Sequence, residues 1–584
     1  MQWLKRLFPW HPILLLALAA AVFLPGLHTP GLYDPNEGLY AEIAWEMYDR
    51  GDWLSPRFNG VPYFEKPPLL YWLIAAAYTL FGVSETSARL PVALAGVAGV
   101  LCTFGIGRIL FTPRGGLLAA LALTTSFGYF IFARVILTDL LFTACVTAAL
   151  WCFLRGYLDP ARRHSYLLVY VFSGLAVLAK GLLGLVIPGL IIGGLLVVTR
   201  DWLVLKEFRL PLGAVLFLAI TAPWHLAMGW AHEGFLWFYF INEHVLRFLN
   251  QRHPIDYAPL PLWLFLPMAL VWSFPWSLFL PFAWRQLTPP ERDTRQGRAA
   301  WIIPCWIVAV LGFFALTPAR LEYYSLPGLP AFALWVGRFW DEALADPKRH
   351  ARLRWALACL LALSVGLLPL AASFPRLEGV AFYNMFSAVD AYSRDIQQGI
   401  LAPPGSYTVP SFQALLPPLL LAAGVLLIGA AVAFGAALLG RARLAFACLI
   451  AVMLGMFPLI HWGLVLFEPH RSIRALATGL SQARRPGDVI VVEGPYENFA
   501  ALNVYTRGSA LVLNGRFGDL EFGSHQPEAL GRFLDDESFN GLWGSGTRVF
   551  LLTSSASRVE SLQRRDGGAI LGRTGHKWLL VNRS

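Results

Sequence analysis

The sequence predicts a polytopic α-helical membrane protein with about thirteen transmembrane helices, interfacial helices in the first external loop, and a small C-terminal α/β segment. Three observations carry that prediction. Of the 584 residues 57% are hydrophobic and the mean hydropathy is +0.56, more apolar surface than a soluble chain of this size buries. Only 14% are charged, and those charges cluster between apolar runs. From about Glu468 onward the long runs give way to short ones.

Taken in order, apolar runs of roughly 17 to 25 residues occur near 9–28, 87–110, 115–133, 137–157, 165–181, 181–198, 208–229, 260–283, 300–317, 324–341, 354–373, 414–439 and 443–468. The first is too long and apolar for a typical cleaved signal and reads as a retained anchor. The run 69–82 is short and follows two prolines, so it reads as interfacial. Arg114, Arg155 with Arg162 and Arg163, Arg200 with Lys206, Arg285 to Arg298, Lys348 to Arg354, and Arg441 with Arg443 then share the side of Lys5 and Arg6, which the positive-inside rule makes cytoplasmic. The net charge of +10 has the same origin and implies no nucleic-acid partner. Loops 29–86, 134–137, 229–259, 318–323 and 374–413 become external, and the odd number of spans puts 468–584 outside a membrane domain 1–467. Cys102, Cys145, Cys152, Cys305, Cys359 and Cys448 lie in apolar runs without metal spacing and read as small core residues.

In the C-terminal segment 488–493, 510–514, 548–553 and 577–582 read as buried strands, with helical patterns near 496–506, 526–535 and 556–565. That alternation argues a small α/β unit, and its glycines form no nucleotide fingerprint.

Polar chemistry concentrates between Leu32 and Pro68, which carries Asp34, Glu37, Glu42, Glu46, Asp49, Arg50, Asp52, Arg57, Glu65 and Lys66. Glu37 to Arg50 reads as an amphipathic helix, with Leu39, Tyr40, Ile43, Ala44 and Met47 at helical spacing. Glu42 and Glu46 read as its solvated face, and Asp34 or Asn36 as its cap. Residues 58–66 hold Asn, Gly and Pro and read as a loop.

The order Asn36-Glu37-x-x-Tyr40-Ala41-Glu42, Gly51-Asp52-Trp53, Asn59-Gly60 and Tyr63-Phe64-Glu65-Lys66-Pro67 resembles the first external loop of the protein O-mannosyltransferase and lipid A aminoarabinose transferase group, closest to the aminoarabinose branch. Phe238 to Phe248, with Glu243, His244 and Arg247, resembles that group's second large external loop. Arg320 to Pro327 resembles its Lys-x-x-x-Tyr-x-Leu-Pro element, with Arg320 in place of Lys, and Asp139 matches an acidic residue at the start of a span. The resemblance covers roughly residues 10–340. It implies a GT-C type glycosyltransferase of the bacterial inner membrane. Such an enzyme takes a sugar from a polyprenyl (undecaprenyl) phosphate to an envelope acceptor such as lipid A, at a periplasmic site.

Such a transfer must stabilise a departing phosphate. Lys66 and Arg247 are the candidate clamps, Arg320 and Lys180 further cations, and Tyr63 and Tyr324 candidate hydrogen-bond donors. Glu65 and His244 are a candidate ligand pair for a divalent metal, Zn or Mg/Mn. Asp139, at a membrane helix, needs a partner such as Arg134 or Lys66. Where the family has Asp-Glu this chain has Asn36-Glu37, and an amide takes no proton. The base is then Asp34 or Glu37, Asp34 first because a helix N-terminus favours Glu37 as an anion; a phosphate acceptor needs no base. A transporter or flippase of lipid-linked sugars would gather its ionisable residues in mid-span. A non-catalytic lipid-binding relative is the other alternative, suggested by Asn36.

Overall fold

The structure is a computed structural model that describes residues 11–254, 260–287, 293–373 and 413–583. Lys5, Arg6 and nearly all of the expected external loop 374–413 lie outside the described residues. The helices that frame the site are α1 (His11–Phe23), α2 (Asn36–Arg50), α3 (Leu69–Phe81), α4 (Glu85–Leu110), α5 (Phe127–Phe132), α6 (Thr138–Leu158), α7 (Ser165–Lys180), α8 (Ile302–Leu316), α9 (Ala442–Arg471) and α10 (Leu502–Thr506).

Among the described residues, seven helices are long and apolar enough to cross a membrane, or eight if Leu262–Trp272 and Trp276–Gln286, bent by 96°, form one span. The difference from about thirteen apolar runs has local causes. In the run 115–133 the hydroxyls of Thr124, Thr125 and Ser126 bond back to the carbonyls of Ala120, Leu121 and Ala122, and the helix breaks there. The run 324–341 begins as a 3-10 turn, Glu322–Gly328, around Pro327. Helices α1, α7 and Leu183–Thr199 are apolar but short, as is α3.

The segment 29–86 folds as helix, hairpin and turn. Neither Asp34 nor Asn36 caps α2: Pro35 occupies the cap position, with no side-chain bond there. Glu37, on the first turn, instead accepts from the backbone N–H of Tyr33, two residues before the cap position, at 3.1 Å. Gly51, left-handed at φ 70°, ends the helix. Asn59 and Gly60, both at positive φ, turn a two-strand hairpin β1 (Arg57–Phe58) and β2 (Val61–Pro62), the turn that an Asn-Gly pair favours.

The C-terminal segment builds a six-stranded sheet, β3 (Val489–Glu493), β4 (Leu511–Leu513), β5 (Phe533–Leu534), β6 (Val549–Thr553), β7 (Ala569–Thr574) and β8 (Lys577–Val581), in the order β5-β4-β3-β6-β8-β7. Strands β3 to β6 are parallel neighbours and β8 is antiparallel to β6 and β7. Side chains alternate along β3. Ile490 and Val492 join the large core that holds α2, whereas Val491 joins a small core with Leu513, Leu551 and Trp543. The helical pattern expected at 526–535 is instead a 3-10 turn and β5.

That packing overturns the solvated face expected for α2, because Glu42 and Glu46 are buried. Glu42 accepts from the Tyr496 hydroxyl at 2.9 Å, the Asn503 amide at 2.8 Å and Asn59 N–H at 2.9 Å. Glu46 accepts from Gly60 N–H at 2.6 Å. The sheet and α10 cover the face that would otherwise meet water.

Candidate active site

Three strands of chain converge at one end of the bundle: Tyr63–Lys66 after β2, the π-helical stretch Trp237–Leu246 running on to Arg252, and the junction of α6, α7 and Glu322–Gly328. Glu65 Oε1 lies 2.6 Å from Arg252 Nη2, and Arg252, fully buried, also pairs with Glu243. Glu243 Oε2 accepts from Arg247 Nη1 at 3.0 Å, one helical turn away. Lys66 Nζ stands 3.6 Å from Glu243 and 3.7 Å from Glu65. Both exceed hydrogen-bond distance, so the network orients Lys66 without consuming its N–H groups. Lys66 and Arg247 are its partly exposed members.

The second cluster is aromatic. Lys180 at the end of α7 pairs with Asp139 at the start of α6, and its Nζ lies 4.5 Å from the ring centre of Tyr324 and 5.6 Å from that of Tyr323. The partner of Asp139 is therefore Lys180, not Arg134 or Lys66, because the helix ends of α6 and α7 meet. Tyr40 stacks on Tyr71 at 5.7 Å. Burial first, then the Glu65 and Asp519 charges, raise the Tyr63 phenol well above its ordinary value. Burial does the same to Tyr71, whose hydroxyl is buried with no hydrogen-bond partner among the described residues. Both are thus neutral donors facing a polar interior.

A cavity of 380 Å³ joins the two clusters. Its walls are apolar, with Leu182, Val186, Phe248 and Phe313 among them, and its polar end holds Glu243, Arg247 and Tyr324. The shape suits an apolar chain with an anionic head.

Four expectations need correction. Asp34 is not at the cavity: its carboxylate is buried against Lys577 Nζ at 2.9 Å and accepts from Ala501 N–H at 2.9 Å. Glu37 is spent on Arg89 of α4, at 2.9 and 2.6 Å, and on Ile136 N–H at 3.1 Å. Arg320 donates to the carbonyls of Phe314, Leu260 and Ala315, so it holds loops together, and it is not among the residues that line the cavity. His244 and Glu65, the expected ligand pair, are each bonded within the chain. One ring nitrogen of His244 bonds the Tyr239 carbonyl at 2.6 Å and the other accepts from Leu182 N–H at 3.0 Å, while Glu65 is held by Arg252. Burial keeps His244 below the usual histidine value, hence neutral, and no group of three metal-ligating side chains occurs among the described residues. Asn36 is exposed at the start of α2.

Sequence reading missed Arg252, Arg89 and Lys577. Arg252 follows Arg247 in the same loop and could have been weighed with it. Arg89, alone and polar at the head of an apolar helix, signals a buried partner. Nothing local marks Lys577.

A family model described as dolichyl-phosphate-mannose-protein mannosyltransferase matches residues 65–226. An undecaprenyl phosphate-alpha-4-amino-4-deoxy-L-arabinose arabinosyl transferase of Pectobacterium carotovorum subsp. carotovorum is 32% identical over 386 residues, 64% of this chain and 67% of that relative. One from Edwardsiella ictaluri is 28% identical over 551 residues, 92% and 91% of the two chains. The crystal structure of ArnT from Cupriavidus metallidurans bound to undecaprenyl phosphate superposes with a TM-score of 0.82 at 25% identity, covering 98% of each chain.

Proposed function

This chain belongs to the family of undecaprenyl phosphate-aminoarabinose arabinosyl transferases, and from that premise we propose that it moves a sugar from undecaprenyl phosphate to an envelope acceptor that attacks through an anionic oxygen, such as a phosphate of lipid A. It is a multi-pass glycosyltransferase of the GT-C type that uses a lipid-phosphate-linked donor.

The cavity that runs from apolar walls to Arg247, beside Lys66, carries this reading. The isoprenoid chain lies along Leu182, Val186 and Phe313, and its phosphate meets Arg247 and Lys66, charge-assisted donors to a departing anion. Tyr324 lines the cavity and touches Lys180, so the sugar sits toward Lys180, Asp139 and the buried phenols. Neither Asp34 nor Glu37 is available as a base, since each is bound to a cation. An anionic acceptor requires none, and Asn36 donates its amide to it. In this reading the chain crosses the membrane about thirteen times with its N-terminus cytoplasmic, and loop 29–86, the site and 468–584 are periplasmic.

Purified chain supplied with an undecaprenyl-phosphate sugar and lipid acceptors that carry or lack a phosphate tests this directly. Mass spectrometry should find product only on the phosphate-bearing lipid. Equal transfer to a plain alcohol would reject the base-free chemistry, and movement of the donor across vesicles without product would reject the enzyme.

A further inference from the structure

A second apolar groove, of 270 Å³, lies between α1 and α9 and shares no lining residue with the donor cavity. Val22 and Leu454 stand on its walls, and the rings of Phe130 and Phe457, also lining it, stack at 3.9 Å. Its walls belong to helices whose outer residues, Ile13 and Leu14 on α1 and Trp462 on α9, are exposed. The groove therefore opens where acyl chains run.

At one end of the groove sits Arg134, only 7% exposed. Its guanidinium donates to the Phe23 carbonyl at 3.2 Å and lies 3.4 Å from His461 Nδ1, with the Phe130 ring at 5.2 Å. None of these is an anion, and among the described residues no carboxylate pairs with it. Burial, and then the neighbouring Arg89, pull its pKa down to about 10. His461 is held toward the same end by Thr29, 3.1 Å from Nε2. Gly26, at φ +75°, lets the backbone pass so close that a Cβ there would meet Arg134 Nη2 at 2.9 Å. Guanidinium carries five N–H donors, and a buried cation without a counter-ion in an apolar site is costly. A charge kept there calls for an anion from outside the chain.

We propose that this groove is a lipid site separate from the donor cavity, in which Arg134, flanked by His461, holds the phosphate of a bilayer phospholipid while one acyl chain lies between α1 and α9. The phosphate supplies the missing anion, and the chain fills a wall that neither water nor a free ion satisfies. The bound lipid ties the first described helix to the last long membrane helix.

Thermal unfolding of delipidated full-length protein tests it with three probes: phosphatidylglycerol, diacylglycerol with the same chains, and glycerol phosphate. Phosphatidylglycerol alone should raise the melting temperature by a few degrees. Arg134→Gln should abolish that shift. So should Ala21→Phe, which fills the groove and leaves the guanidinium untouched, and which keeps the test alive if Arg134→Gln folds poorly. Arg247→Ala, in the donor cavity, should retain it. An equal shift from glycerol phosphate makes this an adventitious anion site, and an equal shift from diacylglycerol makes it an apolar face only; either overturns the proposal. A shift that survives both groove variants, or disappears in Arg247→Ala, does the same.

Discussion

Toward the C-terminal sheet, the loop 29–86 buries Asp34, Glu42 and Glu46, and each carboxylate is held by groups of the chain itself: Lys577 and Ala501, then Tyr496 and Asn503, then the Gly60 N–H with Arg50 as ion-pair partner. Toward the bundle, the same loop offers Glu65 and Lys66 to a network with Glu243, Arg247 and Arg252 in which Lys66 is oriented but, among the described residues, has no hydrogen bond to a carboxylate. Charge is equally dense on both sides. What separates docking from chemistry is whether donors remain for a ligand once the internal bonds are counted.

Lys66→Ala should break the bundle side most severely. Initial rates with an undecaprenyl-phosphate sugar should fall on the order of 10²–10³-fold, with only a small change in melting temperature, because Arg252 and Arg247 still pair with Glu65 and Glu243 when Lys66 is removed. Lys66→Arg should recover part of the rate, since a planar fork replaces a point charge. A near-normal rate in Lys66→Ala would erase the distinction between the two sides.

On the sheet side the expected damage is to stability. Lys577→Met strands a buried carboxylate and should cost about 3–5 kcal/mol, read by thermal unfolding in detergent, and adding Asp34→Asn should restore much of it. Turnover per folded molecule should hold in the double variant. If Asp34→Asn alone stays folded yet loses turnover as Lys66→Ala does, Asp34 belongs with the chemistry after all.

The smallest effect is a slope. Burial first, then the nearby Glu46 charge, raise the Glu42 carboxyl well above its ordinary 4.5. The folded chain therefore holds a proton that the unfolded chain releases above about 4.5. The stability tied to Glu42 is complete below that pH and is lost as pH rises through the folded value. Glu42→Gln, neutral throughout, should flatten the fall of melting temperature with pH and leave turnover per folded molecule intact. An unchanged slope would show that Glu42 is not the titrating group.

Local signals carry furthest where the partner is near in sequence. Asn, Gly and Pro mark 58–66 as a break between helices, and within it Asn59-Gly60 joins β1 to β2, a hairpin where the sequence suggested only a loop. Glu243 and Arg247, four apart in a helical stretch, lie one turn from each other, and they bond. The strands at 488–493, 510–514, 548–553 and 577–582 were legible from their β-branched and apolar runs and are β3, β4, β6 and β8. Glu42 misled because an amphipathic pattern says which face is apolar but not what will cover the other. Asp34 and Glu37 misled because a carboxylate beside a family motif looks alike whether it faces a cavity or a cation.

The sequence by itself determined the membrane class, the crowding of charge between Leu32 and Pro68 and the local groups Glu65, Lys66, Glu243 and Arg247, because hydropathy, turn chemistry and helical spacing act over a few residues. Only the tertiary structure decided which charges were free. Asp34 meets Lys577 across 543 positions and Glu37 meets Arg89 across 52. Closing such distances costs only a slowly growing loop entropy, so packing selects the pairs and leaves no local trace of the choice.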